Sequence, residues 1–249
     1  MVINMRILFV RHGEPDYVHD SLTPKGFREA ELLADRLEKL EIKDFYCSPL
    51  GRARATAEPT LKRFHKEAKV YDWFGEFPGY IIEKETNRKR IPWDLYPADW
   101  TCRPAFYRNE EWYKDPIMTT GDVEKVYTYV TENMDLFLEQ YGYHRDGNMY
   151  TCEESNSDTI VIFCHLGVQL AILSHILGIP TPLLWQGFYV APTSVTTLIS
   201  EERIKGKVYF RCQAVGDTSH LYVAQEPVST AGFFQEIYGA PKWPDTKGF

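Results

Sequence analysis

Two apolar runs constrain the fold of this chain more than any other feature of its sequence. Residues 5–10 and 159–164 are rich in β-branched and large apolar side chains, a pattern typical of buried strands. The first run leads into Arg11-His12-Gly13, and the second leads into His165-Leu166-Gly167. Because α/β sheets bind ligands at the ends of their strands, both histidines are predicted to face a ligand site.

Helix-start signals follow the first run twice. Thr23-Pro24 combines a good N-cap with a proline suited to the first helical position, and apolar residues then recur at helical spacing as far as Leu40. Residues 44–47 read as a second strand, so a parallel β-α-β unit is predicted. Ser48-Pro49 repeats the helix-start signal and places Arg52 in a first turn, while Pro59 is expected to kink or split that helix.

The remaining pattern completes an α/β fold. Asp122 is expected to cap a long amphipathic helix, and the polar residues 142–158 to form a loop. A helix after His165 ends at Gly178 and Pro180, and residues 194–200 and 207–214 read as two further strands. These elements predict a three-layer α/β/α sandwich with a mostly parallel central sheet, forming a single domain over residues 1–249.

Residues from about 82 to 120 differ in composition and in periodicity from the rest of the chain. They mix aromatic side chains with arginine, aspartate and proline, without a period of two or of 3.6. We interpret them as an irregular insertion with short helices that caps the sheet edge. Two interpretations stay open for its aromatic residues, a lid over the site or a small core of their own. The aromatic residues concerned are Trp93, Tyr96, Trp100, Phe106, Tyr107, Trp112 and Tyr113.

Composition excludes several classes of protein. The formal charge of -7 argues against a nucleic-acid partner but not against a small anionic substrate. No apolar run is long enough to span a membrane, and the N-terminus lacks the pattern of a secretion signal, so a cytoplasmic protein is expected. The five cysteines include no Cys-x-x-Cys pair, hence no zinc or redox signature, and are expected to be buried free thiols.

Several of these residues have chemistry that suits a phosphoryl group. The planar guanidinium of Arg11 matches its oxygens, and Gly13 lets the backbone approach a ligand closely. Arg52, in the first turn of a helix, adds a charge beside free N–H groups. Glu76 lies between aromatic residues and turn-forming glycine and proline, where a carboxyl group can acquire the raised proton affinity of a general acid.

In order and spacing, these pieces resemble the histidine phosphatase superfamily, which includes the phosphoglycerate mutases. The residues that carry the resemblance are Arg11-His12-Gly13-Glu14, Leu22-Thr23 with Gly26, Ser48-Pro49 with Arg52-Ala53 and Thr56-Ala57, Glu76, Cys164-His165-Leu166-Gly167, and Asp217-Thr218-Ser219-His220-Leu221. The insertion at 82–120 and the C-terminal tail are not covered by it with any specificity.

The resemblance implies a role for each matching residue. His12 would attack phosphorus and carry the phosphoryl group, and Arg11, Arg52 and His165 would hold its oxygens. Glu76 would donate a proton to the leaving oxygen and later take one from water, with Glu83 and Glu85 as nearby alternatives. His220 resembles a position close to the pocket, where it either touches the phosphate environment or makes a structural hydrogen bond.

The implied enzyme is a phosphatase of the histidine acid type that needs no metal or other cofactor and acts on a small phosphorylated substrate. Mutases of the family carry an asparagine where this chain has Val18, which favours hydrolysis over phosphoryl transfer within a sugar acid. A mutase and a non-catalytic phospho-ligand binding module remain the alternatives. The insertion could contact an aromatic leaving group, or Arg88, Arg90 and Arg103 could meet further phosphates. It could equally form the surface of a homodimer.

Overall fold

The computed structural model describes residues 4–84 and 86–234. These residues form both strands and helices. The strands are β1 (Arg6–Arg11), β2 (Pro15–Asp16), β3 (Ser21–Leu22), β4 (Asp44–Cys47), β5 (Lys69–Val70), β6 (Ile81–Ile82), β7 (Lys89–Arg90), β8 (His144–Asp146), β9 (Met149–Thr151), β10 (Thr159–Cys164), β11 (Val195–Ile204) and β12 (Lys207–Asp217). The helices are α1 (Pro24–Leu37), α2 (Gly51–Phe64), α3 (Pro97–Trp100), α4 (Val123–Glu139), α5 (Leu166–Leu177), α6 (Thr181–Gly187) and α7 (Ser219–Val223).

Eight of these strands form the central sheet, in the order β5-β4-β10-β1-β11-β12-β9-β8. The pairs β5–β4, β4–β10 and β10–β1 are parallel, and the four pairs from β1 to β8 are antiparallel. Six of the eight strands therefore run in one direction, with β11 and β9 opposed to them. This confirms the predicted mostly parallel sheet, and it places the two runs that lead into histidine side by side.

Alternation along β1 divides the apolar residues between two layers. Ile7 and Phe9 pack into the core on the face covered by α4, α5 and α6. Leu8 and Val10 point to the opposite face, where they meet residues of α1 and α2 such as Leu33 and Ala53. A strand that is apolar on both faces needs helices on both, since successive side chains alternate. The three-layer sandwich follows from this pattern.

The ends of the helices follow the chemistry of their terminal residues. The hydroxyl of Thr23 accepts the N–H of Gly26 at 3.1 Å, and Pro24 opens α1, as predicted. Gly178, at φ +66°, closes α5 in the left-handed conformation that glycine adopts without strain. These caps fix the directions in which α1 and α5 leave the strands.

Three expectations about the helices were wrong in detail. The N-cap of α2 is Leu50 rather than Ser48, whose hydroxyl instead accepts the N–H of Leu50 at 3.1 Å. Of the two outcomes expected at Pro59, a kink or a split, the split does not occur, because α2 continues past this residue to Phe64. Asp122 stands at the N-cap of α4, but its carboxylate accepts the N–H of Tyr80 at 3.1 Å instead of capping the helix.

Two further elements were not expected from the sequence. The polar stretch 142–158 is not a loop throughout, because it contains the hairpin of β8 and β9, which pairs with β12 at the edge of the sheet. The short helix α6 follows Pro180 directly.

The insertion is irregular and contains short helices, as expected. The side chains of Trp93, Phe106 and Trp112 are buried in the core that also contains α4 and α5, whereas Tyr96 and Tyr107 are exposed. Much of its aromatic content is therefore core rather than an open surface.

All five cysteines are free thiols, of which Cys47, Cys152 and Cys164 are buried and Cys102 is exposed. Within residues 4–84 and 86–234, no helix combines the length and the apolar character needed to cross a membrane.

Candidate active site

The pairing of β1 with β10 brings the two histidines together. These strands are parallel neighbours in which Arg11 lies opposite Cys164, so His12 and His165 follow adjacent strand ends. Their ring centroids are 5.1 Å apart, with the rings tilted by 56°. The predicted meeting of two histidines at the carboxyl edge of the sheet is present in the structure.

His12 is held by the backbone of the next residue. It is only 2% exposed, and its Nδ1 lies 2.8 Å from the carbonyl oxygen of Gly13. A carbonyl oxygen only accepts hydrogen bonds, so Nδ1 carries the proton and Nε2 keeps its lone pair. Burial, together with the charges of Arg11 and Arg52, lowers the pKa of His12 well below its ordinary value. The ring is therefore a neutral imidazole with a fixed orientation.

The turn after His12 is tied to α1 and α2. The N–H of Gly13 donates to the hydroxyl of Thr56 at 2.9 Å, and that hydroxyl donates to the carbonyl oxygen of Arg52 at 2.7 Å. A Cβ atom at Gly13 would lie 2.9 Å from the carbonyl oxygen of Gly26 in α1, which explains why glycine is needed there. The nucleophile candidate and Arg52 thus share one rigid support.

Each of the two arginines is oriented by one hydrogen bond and one aromatic ring. Nη1 of Arg11 donates to the carbonyl oxygen of Val190 at 2.7 Å, and its guanidinium lies 5.7 Å from the ring centroid of Tyr189. Nη1 of Arg52 donates to Asp20 Oδ1 at 2.6 Å, and its guanidinium lies 5.5 Å from the ring centroid of Tyr17.

His165 is fully buried at the start of α5. Its Nε2 lies 2.7 Å from the hydroxyl of Ser48, whereas its Nδ1 has no hydrogen-bond partner within residues 4–84 and 86–234. Burial and the neighbouring His12 lower the pKa of His165 well below its ordinary value. Nε of Arg11 and Nε of Arg52 also lack a hydrogen-bond partner in the part of the chain that the structure describes. Buried polar groups without partners are costly, and a cluster of them beside two cations suits an anion.

Glu76 lies against the first turn of α5. Its Oε1 accepts the N–H of Phe77 at 2.8 Å and that of Val168 at 3.1 Å. The residue is half-buried overall, but its carboxyl group lies deep, and this burial raises its pKa despite the opposing hydrogen bonds and arginines. A carboxyl group in this state holds a proton more readily than one in water.

The alternative acids do not share these properties. Glu83 bonds to Arg90 at 2.7 Å and accepts the hydroxyl of Thr86, and these partners lower its pKa. Glu85 lies outside the described residues. Of the described candidates, only Glu76 combines a carboxyl group against the first turn of α5 with a raised pKa.

His220 is linked to the backbone of Arg11 and His12 through Thr193. Its Nε2 lies 3.2 Å from the hydroxyl of Thr193, whose own N–H donates to the carbonyl oxygens of Arg11 and His12. Burial lowers the pKa of His220 to about 4. The structure therefore connects His220 to the backbone of the site through Thr193, while its buried Nδ1 has no hydrogen-bond partner among the described residues.

Sequence reasoning missed Asp20, Tyr17, Thr193 and the segment 229–233, all of which contact site residues. Thr193 adopts φ +55° in a loop, and no periodic pattern marks such a position. In the described part of the chain, no three histidine, cysteine, aspartate or glutamate side chains group in a way that could hold a metal ion.

Part of this chain matches the model of a known protein family. The family model of the histidine phosphatase superfamily (branch 1) matches residues 7–125. A 2,3-bisphosphoglycerate-dependent phosphoglycerate mutase of Thermoplasma acidophilum is 37% identical over 70 residues, which cover 24% of this chain and only 35% of that protein. An adenosylcobalamin/alpha-ribazole phosphatase of Salmonella typhi is 24% identical over 190 residues, covering 73% of this chain and 84% of that protein.

Solved structures share the fold. A phosphoserine phosphatase mutant from Entamoeba histolytica, in complex with phosphoserine, superposes with a TM-score of 0.58 at 20% identity, covering 87% of this chain and 99% of that one. At this level of identity the likeness shows the fold alone.

Proposed function

From the membership of this chain in the histidine phosphatase superfamily, we propose that it hydrolyses a phosphate monoester through a phosphohistidine at His12. One observation carries the proposal. The neutral ring of His12 is locked by Gly13 with its lone pair on Nε2, 5.1 Å from the ring of His165 and within the field of Arg11 and Arg52. A nucleophile set beside fixed cations is what phosphoryl transfer requires of a protein.

The first step transfers the phosphoryl group to the enzyme. Nε2 of His12 attacks phosphorus, and the bond from phosphorus to the ester oxygen breaks with its electron pair on that oxygen. The proton of Glu76 goes to the leaving oxygen, which departs as an alcohol. Arg11, Arg52 and Nδ1 of His165 donate hydrogen bonds to the other phosphoryl oxygens as charge develops on them.

The second step regenerates the enzyme. Glu76, now ionised, takes a proton from water while the water oxygen attacks phosphorus. The bond between phosphorus and Nε2 breaks, which releases inorganic phosphate and restores neutral His12 and protonated Glu76. The two guanidinium groups supply the positive charge that many phosphatases take from metal ions, so no metal is required in this scheme.

The experiment is phosphate release from a panel of phosphate esters in the presence of chelator. The wild type is expected to release phosphate, and His12→Ala to lose roughly 10³-fold or more of that rate. His144→Ala removes an exposed histidine on β8 and serves as the matched control.

A metal requirement, or activity that survives in His12→Ala, would contradict the proposal. Should no ester be hydrolysed, trapping of phosphohistidine distinguishes a mutase from a binding module, because only the mutase forms it.

A further inference from the structure

Both arginines of the proposed phosphate pocket lie under tyrosine rings. Tyr17 covers Arg52 at 5.5 Å, and Tyr189 covers Arg11 at 5.7 Å. At these distances the positive guanidinium groups are attracted to the faces of the two rings. Tyr17 and Tyr189 therefore border the same site, because each contacts one of its two arginines.

A third ring extends the Tyr189 side. Phe233 stacks on Tyr189 with ring centroids 3.9 Å apart and an angle of 16° between the planes. The hydroxyl of Tyr189 lies 3.1 Å from the carbonyl oxygens of both Ser229 and Ala231, and the hydroxyl of Ser229 donates to Glu14 Oε2 at 2.7 Å. The segment that carries Phe233 is therefore hydrogen-bonded to the site through both its backbone and its side chains.

Two of these three rings remain open to solvent. Tyr17 and Phe233 are each 49% exposed, although both pack against groups of the pocket. Aromatic rings that are fixed yet half-exposed beside a charged pocket can stack on a flat ligand group.

Charges around the pocket disfavour an acidic leaving group. The carboxylate of Asp20 accepts hydrogen bonds from Arg52 and from the N–H of Gly51, and 43% of its side chain is exposed. The nearby Lys25 is paired with Glu14 at 3.7 Å.

The arginines of the insertion are also engaged. Arg90 pairs with Glu83 and Asp94, and Arg103 pairs with Asp115. A leaving group that carried its own carboxylate would meet Asp20 instead of a cation.

We propose that Tyr17, Tyr189 and Phe233 form an aromatic cleft that selects a phosphate ester whose leaving group is an uncharged alcohol carrying an aromatic ring. The inference rests on the proposed function, because it names the class of substrate for the same pocket. It assigns recognition to these three residues rather than to the exposed rings of the insertion, Tyr96 and Tyr107.

The test compares 2-phenylethyl phosphate with propyl phosphate. Both leaving groups are primary alcohols of similar acidity, so the ratio of their kcat/KM values reports recognition of the ring rather than ease of bond cleavage. We expect the ring to raise kcat/KM of the wild type roughly tenfold. Phosphoserine and 3-phosphoglycerate, which carry a carboxylate, are expected to fall below propyl phosphate.

Variants locate the preference in the cleft. Tyr17→Leu and Phe233→Leu are each expected to reduce the ratio to about two or three, as expected when one aromatic contact is lost. Tyr209→Leu is the matched control. Tyr209 is 45% exposed near the start of β12, at the opposite end of the strands from the site, so its replacement should leave both the ratio and the activity unchanged.

Three results would overturn the inference: a wild-type ratio near one, a ratio retained in both cleft variants, or a preference for the carboxylated esters. Failure of the proposed function looks different, since the wild type would then hydrolyse none of the esters. In that case the aromatic cleft can still be tested by comparing the affinities of 2-phenylethylphosphonate and propylphosphonate, which cannot be hydrolysed. Equal affinities would overturn the cleft, and a roughly tenfold advantage for the aromatic phosphonate would support it.

Discussion

At the scale of single residues, three features of the fold keep His12 neutral and oriented. The carbonyl oxygen of Gly13 selects its tautomer, burial keeps it neutral, and Thr193 holds the backbone on which it stands. None of these contacts uses a charged partner. In the proposed mechanism the nucleophile therefore stays available when a dianionic ester neutralises the two arginines.

Glu76→Gln tests the proposed acid. Glutamine keeps an oxygen for the N–H groups of Phe77 and Val168 but has no proton to transfer. We expect kcat/KM for propyl phosphate to fall by about 10²–10⁴, and that for nitrophenyl phosphate to fall far less, because nitrophenolate leaves without protonation. Parallel assays with the two esters measure the difference. An equal loss for both would contradict the assignment, and Glu83→Gln is the matched control.

The dependence of activity on pH tests the proposed role of Glu76 in a second way. The pKa of Glu76 is raised, so in the wild type the acid form persists above the ordinary range of a carboxyl group, and activity falls as pH rises through that pKa. The pKa of His12 is lowered, so the neutral nucleophile persists to lower pH than for an ordinary histidine. Glu76→Gln should lose the alkaline fall with propyl phosphate and keep the acidic one.

The sequence predicted the site residues that stand at element ends and one in a loop, Glu76, but it missed other loop residues that contact the site. His12 and His165 follow apolar runs, and Arg52 follows a helix-start signal, so their positions could be inferred before the structure. Asp20 and Thr193 lie in loops without a pattern, at positive φ values, and only the folded chain shows what they contact. The chemical roles of the predicted residues stay a prediction until the variants are measured.

At the scale of elements, the site depends on how closely α5 approaches the insertion. A Cβ atom on Gly167 would lie 2.7 Å from Cζ3 of Trp93 and 2.8 Å from Oε1 of Glu76. Trp185 adds to this contact, because its Nε1 donates to the carbonyl oxygen of Gly167 at 3.0 Å. The first turn of α5 thus contacts the carboxyl group of Glu76 directly and restricts its position.

Gly167→Ala should therefore affect both stability and chemistry. Neither the ring of Trp93 nor the main chain of α5 can move easily in a packed core, so we expect a loss of about 1–3 kcal/mol in the free energy of unfolding. Displacement of Glu76 should also lower kcat for propyl phosphate more than for nitrophenyl phosphate. Urea unfolding and the two assays measure these effects.

Gly187→Ala is the control for this change, since a Cβ atom there has no neighbour within 4 Å at the end of α6. Equal effects of the two substitutions would refute the close approach of α5 to Trp93.

Periodicity identified the elements that are long and amphipathic or fully buried, and failed for the others. The strands β1 and β10 and the helices α1, α4 and α5 carry such patterns. The hairpin of β8 and β9 has three residues in each strand, too few for an alternation to show. The unbroken path of α2 past Pro59 depends on tertiary packing, which local propensity does not include.

At the scale of the whole molecule, distant parts of the sequence meet around the first strand. Ser200 accepts the N–H of Met5 at 2.9 Å, and Ser229 donates to Glu14 across 215 positions of sequence. The segment 229–233 thereby reaches the proposed phosphate pocket from the far end of the described chain. No local pattern could have predicted this contact, because it requires the fold to be complete.

Gly232 is the point at which that segment touches Arg11. It has φ +94°, and a Cβ atom there would lie 2.7 Å from Nη2 of Arg11. Gly232→Ala should push the segment and the guanidinium apart, and we expect the affinity for inorganic phosphate to fall by roughly tenfold through misalignment of Arg11. Calorimetric titration with phosphate measures this change.

The control isolates the contact from the backbone strain. Gly142 has φ +85° with no atom within 4 Å of an added Cβ, so Gly142→Ala carries a similar conformational cost without touching the site. Both variants should lose comparable stability in urea, while only Gly232→Ala weakens phosphate binding. If the two variants bound phosphate equally well, the segment 229–233 would support the fold alone, and the alignment of Arg11 would depend on Val190 and Tyr189.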